Sequence, residues 1–309
     1  MKNIVLSVAL CASLVGCGDG NPFSGPPGGE VDPDEVGIPE ALSNDLESFT
    51  YNPNTQTLTI RGVTADDSPF EDVYRRRPAL DRGGYEAYTT QDGSLDRHST
   101  AYVRDINGTR AALAVTGGQF GYYFAGAAYG NGQFTAPIPE QGNEEGGLVQ
   151  YAGNYVGMLN VEGSGEDLLP VAPGTEPGFR PYQAAEVTGR ILITASFADG
   201  SVSGIVTERE VLDYVAEPGD TFPLAVTDLE LAPTAIAADG TFFGEVTQGQ
   251  QAKGEYGGIF GGIGATEVAG AVHAQEHLDD FTNEEEYGLF VLGQCGTPAQ
   301  DPVCNQPVP

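Results

Sequence analysis

The sequence predicts an all-β protein with a small antiparallel sheet domain followed by an eight-stranded antiparallel β-barrel. Three observations carry this prediction. Short runs of alternating apolar and polar residues recur along the chain, Asp-Gly and Asn-Gly pairs separate several of them, and many of the 44 glycines lie inside the runs. Glycine weakens a strand unless the sheet coils tightly or backbones approach closely, and closure of a barrel requires both.

The first 16 residues have the pattern of an export signal, with one cation at Lys2 and an apolar run too short to span a bilayer. The tetrapeptide that ends at Cys17, LVGC, resembles the lipobox of bacterial lipoproteins. The resemblance implies that Cys17 is lipidated and becomes the first residue of the mature protein, anchored without a transmembrane helix. The alternative is an ordinary secretory signal. Because Gly18 rather than aspartate follows the cysteine, the sorting pattern of such lipoproteins favours the outer membrane.

A tether and a first β domain follow. Residues 17–40 are rich in Gly, Pro and Asp and are predicted to hold the folded part away from the membrane. Residues 41–134 are predicted to form the small sheet. Its strands are a hairpin over 49–61 and a meander over 85–90, 98–104, 110–116 and the aromatic run QFGYYFAGAAYG. The loop-rich stretch 135–147 is the predicted domain boundary.

Residues 148–293 are predicted to close into the barrel. The eight predicted strands cover 149–161, 187–197, 201–208, 228–236, 241–248, 254–260, 267–274 and 287–292. In the glycine-rich segment 254–274 we expect a hairpin with its turn at 261–265. Its apolar residues should face the core: Tyr256, Ile259, Phe260, Ile263 and Val268.

This half resembles the barrel of the lipoprotein family that contains transferrin-binding protein B and factor H-binding protein. The family signature reads roughly FYGPxAxExGG, and the matching residues here are Phe260, Gly262, Ala265, Glu267 and Gly270. Gly261, Ile263 and Ala269 depart from it. The segments GRILITASFADGSVSGIV and IAADGTFFGEV are also similar to the family's strand-turn-strand pattern.

The family resemblance implies a surface-exposed outer-membrane lipoprotein that is not an enzyme and needs no cofactor. It implies a handle-like first domain and a ligand that is a protein or carries iron. The alternatives are a structural or assembly lipoprotein of the cell envelope without a soluble ligand, and an enzyme of unrecognised type.

Two cysteines remain once Cys11 leaves with the signal and Cys17 is lipidated. Cys295 and Cys304 flank a polar, proline-bearing loop of the kind that is cross-linked in an oxidising compartment. We expect a disulfide that closes the C-terminal tail, residues 294–309. A zinc site is disfavoured because no second Cys or His pair stands at ligand spacing.

Charge and motifs exclude several functions. A formal net charge of −31 repels nucleic acid, and it fits high solubility, a salty habitat or a cationic partner. The HxxEH match between His273 and His277 requires a helix, whereas a strand would separate the two side chains on one face by about 13 Å, too far to share a metal. The GSVSG segment has valine at the position where a serine hydrolase needs its nucleophile. We therefore predict no metal site and no catalytic residues.

Two features are candidate partner-binding sites. The first is an arginine cluster that could bind an anionic partner, formed by Arg75, Arg76, Arg77 and Arg82. Its alternative is a solvated loop paired with local acids such as Asp81. The second is the pair Tyr122 and Tyr123, which could present an exposed ring to a partner or simply pack within the sheet.

Overall fold

The protein is all-β and consists of two antiparallel sheets, which confirms the predicted fold class. The computed structural model describes residues 29–64, 68–118, 124–137, 147–212, 214, 224–278 and 281–305. The signal segment and Cys17 lie outside these residues. Within the described part of the chain, no helix has the length and apolar character needed to cross a membrane.

The first sheet is an eight-stranded meander in which each strand pairs with the next. Its elements are β1 (Glu30–Val31), α1 (Pro33–Val36), α2 (Glu40–Ser43), β2 (Leu46–Asn52), β3 (Thr57–Val63), β4 (Pro69–Arg76), β5 (Glu86–Thr90), β6 (Ser99–Ile106), β7 (Thr109–Thr116) and β8 (Ala125–Gly130). The sheet curls until its last strand approaches β2. There the backbone N–H of Asp45 donates to the carbonyl of Ala125 over 3.1 Å, and the N–H of Ala125 donates back to the Asp45 carboxylate over 3.0 Å.

Two parts of this sheet differ from the prediction. Nearly half of the predicted tether, residues 30–40, is folded, because Val31 is buried and pairs with Phe49 of β2, and Ile38 is also buried. Arg75 and Arg76 lie on strand β4 and Arg77 follows it directly, whereas the alternative interpretation placed the arginine run in a loop. Apolar residues at 31 and 38 bury surface against the sheet, and this outweighs the Pro and Gly content of the segment.

The barrel is closed by a continuous ring of eight strands. In ring order these are β10 (Leu148–Glu162), β11 (Ala184–Ser196), β12 (Ser201–Val211), β14 (Leu229–Ala235), β15 (Thr241–Gln248), β16 (Gln251–Ile263), β17 (Glu267–Gln275) and β18 (Glu285–Gly293), which pairs back to β10. Two short strands add to it, with β9 (Phe134–Thr135) beside β16 and β13 (Leu224–Ala225) beside β12. These eight strands match the eight predicted from alternation.

The glycine-rich hairpin, β16 and β17, faces two different cores. Tyr256, Phe260 and Val268 fill the barrel interior as predicted. Ile259 points outward and is buried against the first sheet. The expectation that Ile263 faces the core is wrong: it is 71% exposed because it lies at the tip of the hairpin, just before the turn at 264–266.

The first sheet packs directly on the outer wall of the barrel. The wall is lined by small residues where the two approach most closely, including Ala269 and Ala271. A β-carbon on Gly257 would lie 2.6 Å from the Tyr129 hydroxyl and 2.9 Å from Leu42. Glycine at this position therefore allows the first sheet and α2 to reach the barrel wall.

One tyrosine of the first sheet completes the hydrogen bonding of the barrel. The β10–β18 ladder pairs residues 156–159 with 289–286, and a bridge between Tyr151 and Gln294 continues the same register beyond a gap. Within the gap, the buried hydroxyl of Tyr85 donates to the carbonyl of Asn154 over 2.9 Å and accepts from the N–H of Val291 over 3.0 Å. These two backbone groups are opposite each other in that register, so the hydroxyl bridges a pair that the strands leave apart.

The predicted disulfide between Cys295 and Cys304 is present, with the two Cα atoms 5.5 Å apart. The loop it closes lies against β10, where the N–H of Cys295 donates to the carbonyl of Gln150 over 2.8 Å. The cross-link thus fastens the tail to the barrel.

We expect Gly270→Val to destabilise the barrel by about 1–3 kcal/mol through overpacking. A β-carbon there would lie 2.2 Å from the Phe290 ring and 2.3 Å from the carbonyl of Gly257, so backbone would have to move. The denaturant midpoint should fall, whereas Gly178→Val, at a position with no atom within 4 Å, should leave it near that of the parent. A midpoint at or above the parent's for Gly270→Val would mean that the barrel does not close around this strand.

We expect Tyr85→Phe to lower the free energy of unfolding by about 1–3 kcal/mol, because it leaves a partly buried carbonyl and a buried N–H unbonded. The matched control is Tyr129→Phe, which removes another buried hydroxyl from the same interface. Within the described part of the chain, the Tyr129 hydroxyl makes no hydrogen bond. Chemical denaturation measures both variants. If both variants lose the same free energy of unfolding, the two hydrogen bonds of the Tyr85 hydroxyl do not stabilise the fold.

Candidate functional site: the clasp loop

The longest described connection in the barrel joins β10 to β11 and spans residues 163–183; we call it the clasp loop. Apart from a single 3-10 turn at Pro177–Phe179, it has no regular secondary structure. Ordered loops of this length are uncommon in compact domains and are usually functional. The clasp loop is therefore the first place to look for a binding surface.

Prolines and internal hydrogen bonds hold the middle of the clasp loop. Its four prolines are Pro170, Pro173, Pro177 and Pro181, and each fixes its own φ and so lowers the entropy lost on ordering. The Arg180 guanidinium donates twice to the carbonyl of Thr175, over 2.8 and 3.1 Å. The Thr175 hydroxyl donates to the carbonyl of Ala172 over 2.8 Å. These contacts fix the loop in one shape without strand pairing.

Asp167 attaches the loop to the first sheet. Its carboxylate accepts hydrogen bonds from the Thr89 hydroxyl over 2.7 Å and from the Arg77 guanidinium, which lies 2.9 Å from the other oxygen. The ring Nε2 of His98 lies 3.1 Å from the same carboxylate. The site thus joins the residue after β4, strand β5 and the residue before β6 to a loop of the barrel.

Burial and hydrogen bonding act in opposite directions on the two titratable groups of this contact. Burial alone would raise the pKa of Asp167, but hydrogen bonds from Thr89, His98 and Arg77, with the charge of Arg77, hold it below its ordinary value of 3.8. Burial lowers the pKa of His98 below 6.5, against the opposing effect of Asp167. The carboxylate is thus ionised and the imidazole neutral at pH 7.

The two ends of the clasp loop are held as well. The buried Gln183 accepts from the N–H of Gly163 over 2.7 Å through its backbone and from the N–H of Asp167 over 3.1 Å through its side chain. The carbonyl of Tyr182 lies so close to Gly117 that a β-carbon there would be 1.8 Å away. Only glycine at position 117 permits this contact.

Four exposed large apolar side chains lie on the two segments that flank this attachment, and we call them together the clasp surface. Leu169, Phe179 and Tyr182 come from the clasp loop, with exposures of 39%, 56% and 37%, and Leu95 of the β5–β6 turn is 50% exposed. The Gln91 side chain links the two segments by accepting from the N–H of Leu169 over 2.8 Å and donating to the carbonyl of Asp96 over 3.0 Å. These four account for half of the eight large hydrophobic residues exposed in the described part of the chain.

The clasp surface and the entry of the N-terminal segment lie at opposite ends of the first sheet. β8 begins at Ala125, which pairs with Val115 two residues before Gly117, and ends at Gly130 beside Val31 of β1. Its six residues extend about 17 Å from one end to the other. We call the end that bears the clasp surface the distal end.

Three of the four arginines in the predicted cluster are paired within the molecule. Arg76 donates to Asp81 over 2.7 Å, Arg77 binds Asp167, and Arg82 lies 2.6 Å from the buried Glu186 of the barrel. Only the first of these pairings is with a local acid. Arg75, near the end of β4, is exposed. The other predicted pair, Tyr122 and Tyr123, lies outside the described residues.

We extend the term distal to the end of the barrel at which β10 leads into the clasp loop, and a second ionic cluster lies inside this end. Glu286 is fully buried; it pairs with Arg209, accepts from the Tyr155 hydroxyl over 2.6 Å, and lies 3.4 Å from His277. Burial alone would raise the pKa of Glu286, but the charges of Arg209 and His277 and the hydrogen bonds lower it. Burial lowers the pKa of His277. The carboxylate satisfies the buried Arg209, whose removal from water would otherwise be costly.

The HxxEH residues do not form a metal site. His273 faces outward, stacks on Tyr287 with ring centroids 4.5 Å apart, and lies 3.3 Å from Glu285. His277 faces the barrel interior, so the expectation that both point the same way is wrong. The reason is that the strand ends at Gln275 and Glu276 adopts a φ of 50°. No group of three His, Cys, Asp or Glu residues placed to hold a metal occurs among the described residues.

The five residues of the family signature are brought together at the tip of the β16–β17 hairpin and just below it. Glu267 is buried and accepts from the Asn107 side chain of the first sheet over 2.9 Å. The carbonyl of Ala265 accepts from the Tyr151 hydroxyl over 2.5 Å. Phe260 and Gly270 lie in the interior, and Gly262 has a φ of 77°. Their contacts hold the hairpin and the sheet interface together.

The clasp loop is the feature that sequence reasoning missed. A signal was present, because four prolines within twelve residues, with Phe179 and Tyr182 between and beside them, interrupt two strong strand patterns. Its attachment to Thr89 and His98 depends on contacts 69 to 78 residues apart in sequence. No local pattern reports such contacts.

No protein-family model and no curated protein matches this chain. Among solved structures it is similar to a double mutant of transferrin-binding protein B (TbpB) from Haemophilus parasuis Hp5, with 12% identity and a TM-score of 0.38 over 80% of this chain and 53% of that one. Intact Ap-TbpB, with N and C lobes, gives 12% identity and a TM-score of 0.35, covering 81% and 54%. Isotype 1 TbpB from serogroup B Neisseria meningitidis gives 11% and 0.35, covering 82% and 52%. The chain spans about half the length of each.

Proposed function

We propose that this protein is a non-catalytic surface lipoprotein that binds a protein ligand through its clasp surface. The observation that carries the proposal is the clasp loop itself: a long connection fixed by prolines, hydrogen bonds and an ion pair that nevertheless leaves Leu169, Phe179 and Tyr182 exposed. A loop that served only to join two strands would need neither the length nor the attachments.

The composition of the clasp surface favours a protein partner over a small solute. Aromatic side chains and arginine dominate the energetic centres of protein interfaces, and Phe179, Arg180 and Tyr182 stand within four residues of each other. Because the loop is already ordered, binding to it loses little conformational entropy. The exposed side chains of the surface are mainly apolar, which fits an apolar patch on a folded partner.

The remaining candidates from the sequence extend the same proposal. Tyr122 and Tyr123, which lie outside the described residues, stay in the proposal as candidate contacts for the partner. Of the arginine cluster we retain Arg75, which is exposed, as a contact for an acidic group of the partner. A ligand that carries iron, as the family resemblance implies, remains part of the proposal.

The lipid anchor gives the proposed site its orientation. With lipid on Cys17, twelve residues, 17–28, would separate the membrane from the described part of the chain, and their greatest possible length is about 40 Å. The tether joins the first sheet at the end opposite the clasp surface. The binding surface would thus face away from the membrane that holds the protein.

We expect Cys17→Ser to release the protein from membranes, because the substitution removes the acylated thiol. Fractionation after a carbonate wash measures the result, and separation of inner from outer membranes locates the parent protein. Retention of the variant in the membrane fraction would place the anchor elsewhere in the chain.

We expect a photocrosslinking residue, p-benzoyl-phenylalanine, to capture a partner on intact cells when it replaces Phe179. The matched control is the same replacement at Phe243, which is 39% exposed on the barrel wall away from the clasp surface. A discrete adduct specific to position 179, identified by mass spectrometry, supports the proposal. No adduct at 179, or the same adducts at both positions, would contradict it.

A further inference from the structure

We propose that His98 makes the attachment of the clasp loop acid-sensitive, so that mild acidification loosens the loop from the first sheet. The use of such a device rests on the proposed function, since the loop carries the proposed binding surface. The attachment itself depends only on residues of this chain and can be measured without a partner.

His98 lies between the first sheet and the loop. Its side chain is 1% exposed, and its backbone carbonyl accepts from the N–H of Gly117 over 3.1 Å. The charged groups that face its ring are Asp167 of the clasp loop and Arg77 after β4. The ring therefore cannot reach water while the loop remains attached.

The hydrogen bonds determine which protonation state and tautomer of the His98 imidazole is favoured in the attached loop. Because Asp167 is an acceptor, the neutral ring must carry its proton on Nε2 and donate it to the carboxylate, 3.1 Å away. Nδ1 is buried and has no hydrogen-bond partner in the described part of the chain. The neutral ring leaves only a weak acceptor unbonded there.

Protonation changes this balance in two ways. The Nδ1–H becomes a buried donor without an acceptor, which is costly. In addition, one carboxylate would then serve two cations, since Arg77 already lies 2.9 Å from Asp167. Release of the loop lets water solvate the charged ring and removes both penalties.

The direction of the pH effect follows from linkage. Burial lowers the pKa of His98 in the attached state, so the released state, with an ordinary pKa near 6.5, binds the proton more readily. Attachment is therefore fully favourable above pH 6.5 and weakens as the pH falls below that value. Asp167 does not cause the effect, because its pKa lies below 3.8 and it stays ionised at pH 5.

The test is hydrogen exchange of the clasp-loop amides in the full mature chain at pH 7.5 and pH 5.0, corrected for the intrinsic pH dependence of exchange. The reporters are three N–H groups: those of Gly163 and Asp167 donate to Gln183 within the loop, and that of Leu169 donates to the Gln91 side chain of the first sheet. Their protection should fall by up to about thirty-fold at pH 5.0, the ratio set by a released-state pKa near 6.5. Protection of the β17 amides should change much less.

Two variants separate His98 from other effects of acid. His98→Gln keeps a neutral donor toward Asp167 but cannot titrate, so its loop protection should no longer depend on pH. The matched control His277→Gln removes the other buried histidine of the distal end, at 4% exposure, and should retain the parent's pH dependence in the loop.

A measurement on the parent protein covers the case in which His98→Gln does not fold. The midpoint of the loss of protection should coincide with titration of the His98 ring followed by NMR. The proposal is overturned if loop protection in the parent is the same at both pH values, if its loss persists in His98→Gln, or if the two midpoints differ. None of these outcomes bears on whether the clasp surface binds a partner.

Discussion

The close packing of the first sheet on the outer wall of the barrel is the constraint on which the rest of the structure depends. It requires small residues on the wall, and Gly257, Ala269 and Ala271 provide them. The same strands must present Tyr256, Phe260 and Val268 to the interior. The glycine-rich hairpin therefore satisfies two cores at once, which explains why bulky and minimal residues alternate within it. Arg82, Tyr85 and Asn107 then reach across the interface to partners that this contact positions.

Much of the barrel could be predicted from sequence, because local alternation and turn chemistry determine a strand and its register. The segment 241–248 has the predicted bounds, and Gly200 and Gly240 adopt the positive φ that their Asp-Gly turns require. The errors occur where tertiary contacts decide. Ile259 follows the alternation but faces a second sheet, and Val31 lies in a Gly- and Pro-rich segment that pairing with β2 nevertheless orders.

The candidate site was less accessible to sequence reasoning, since its parts come from distant positions. The arginine run is visible as a cluster of charge, but its pairing is not: Arg77 binds an acid 90 residues away and Arg82 one in the barrel. Local acids explain only Arg76. Consecutive arginines in an acidic chain can either form a partner-binding surface or make ion pairs within the molecule. Only the fold distinguishes these two roles. In this protein it mainly fastens the barrel and its loop to the first sheet.

The hydroxyl of Tyr85, between β10 and β18, makes part of the hydrogen bonding of the barrel wall depend on a residue of the first sheet. The first sheet precedes the barrel strands in the chain and is therefore synthesised first. Its Tyr85 is then available when β18, the last strand, pairs with β10. A barrel excised as a separate module would keep every strand and yet lack this link.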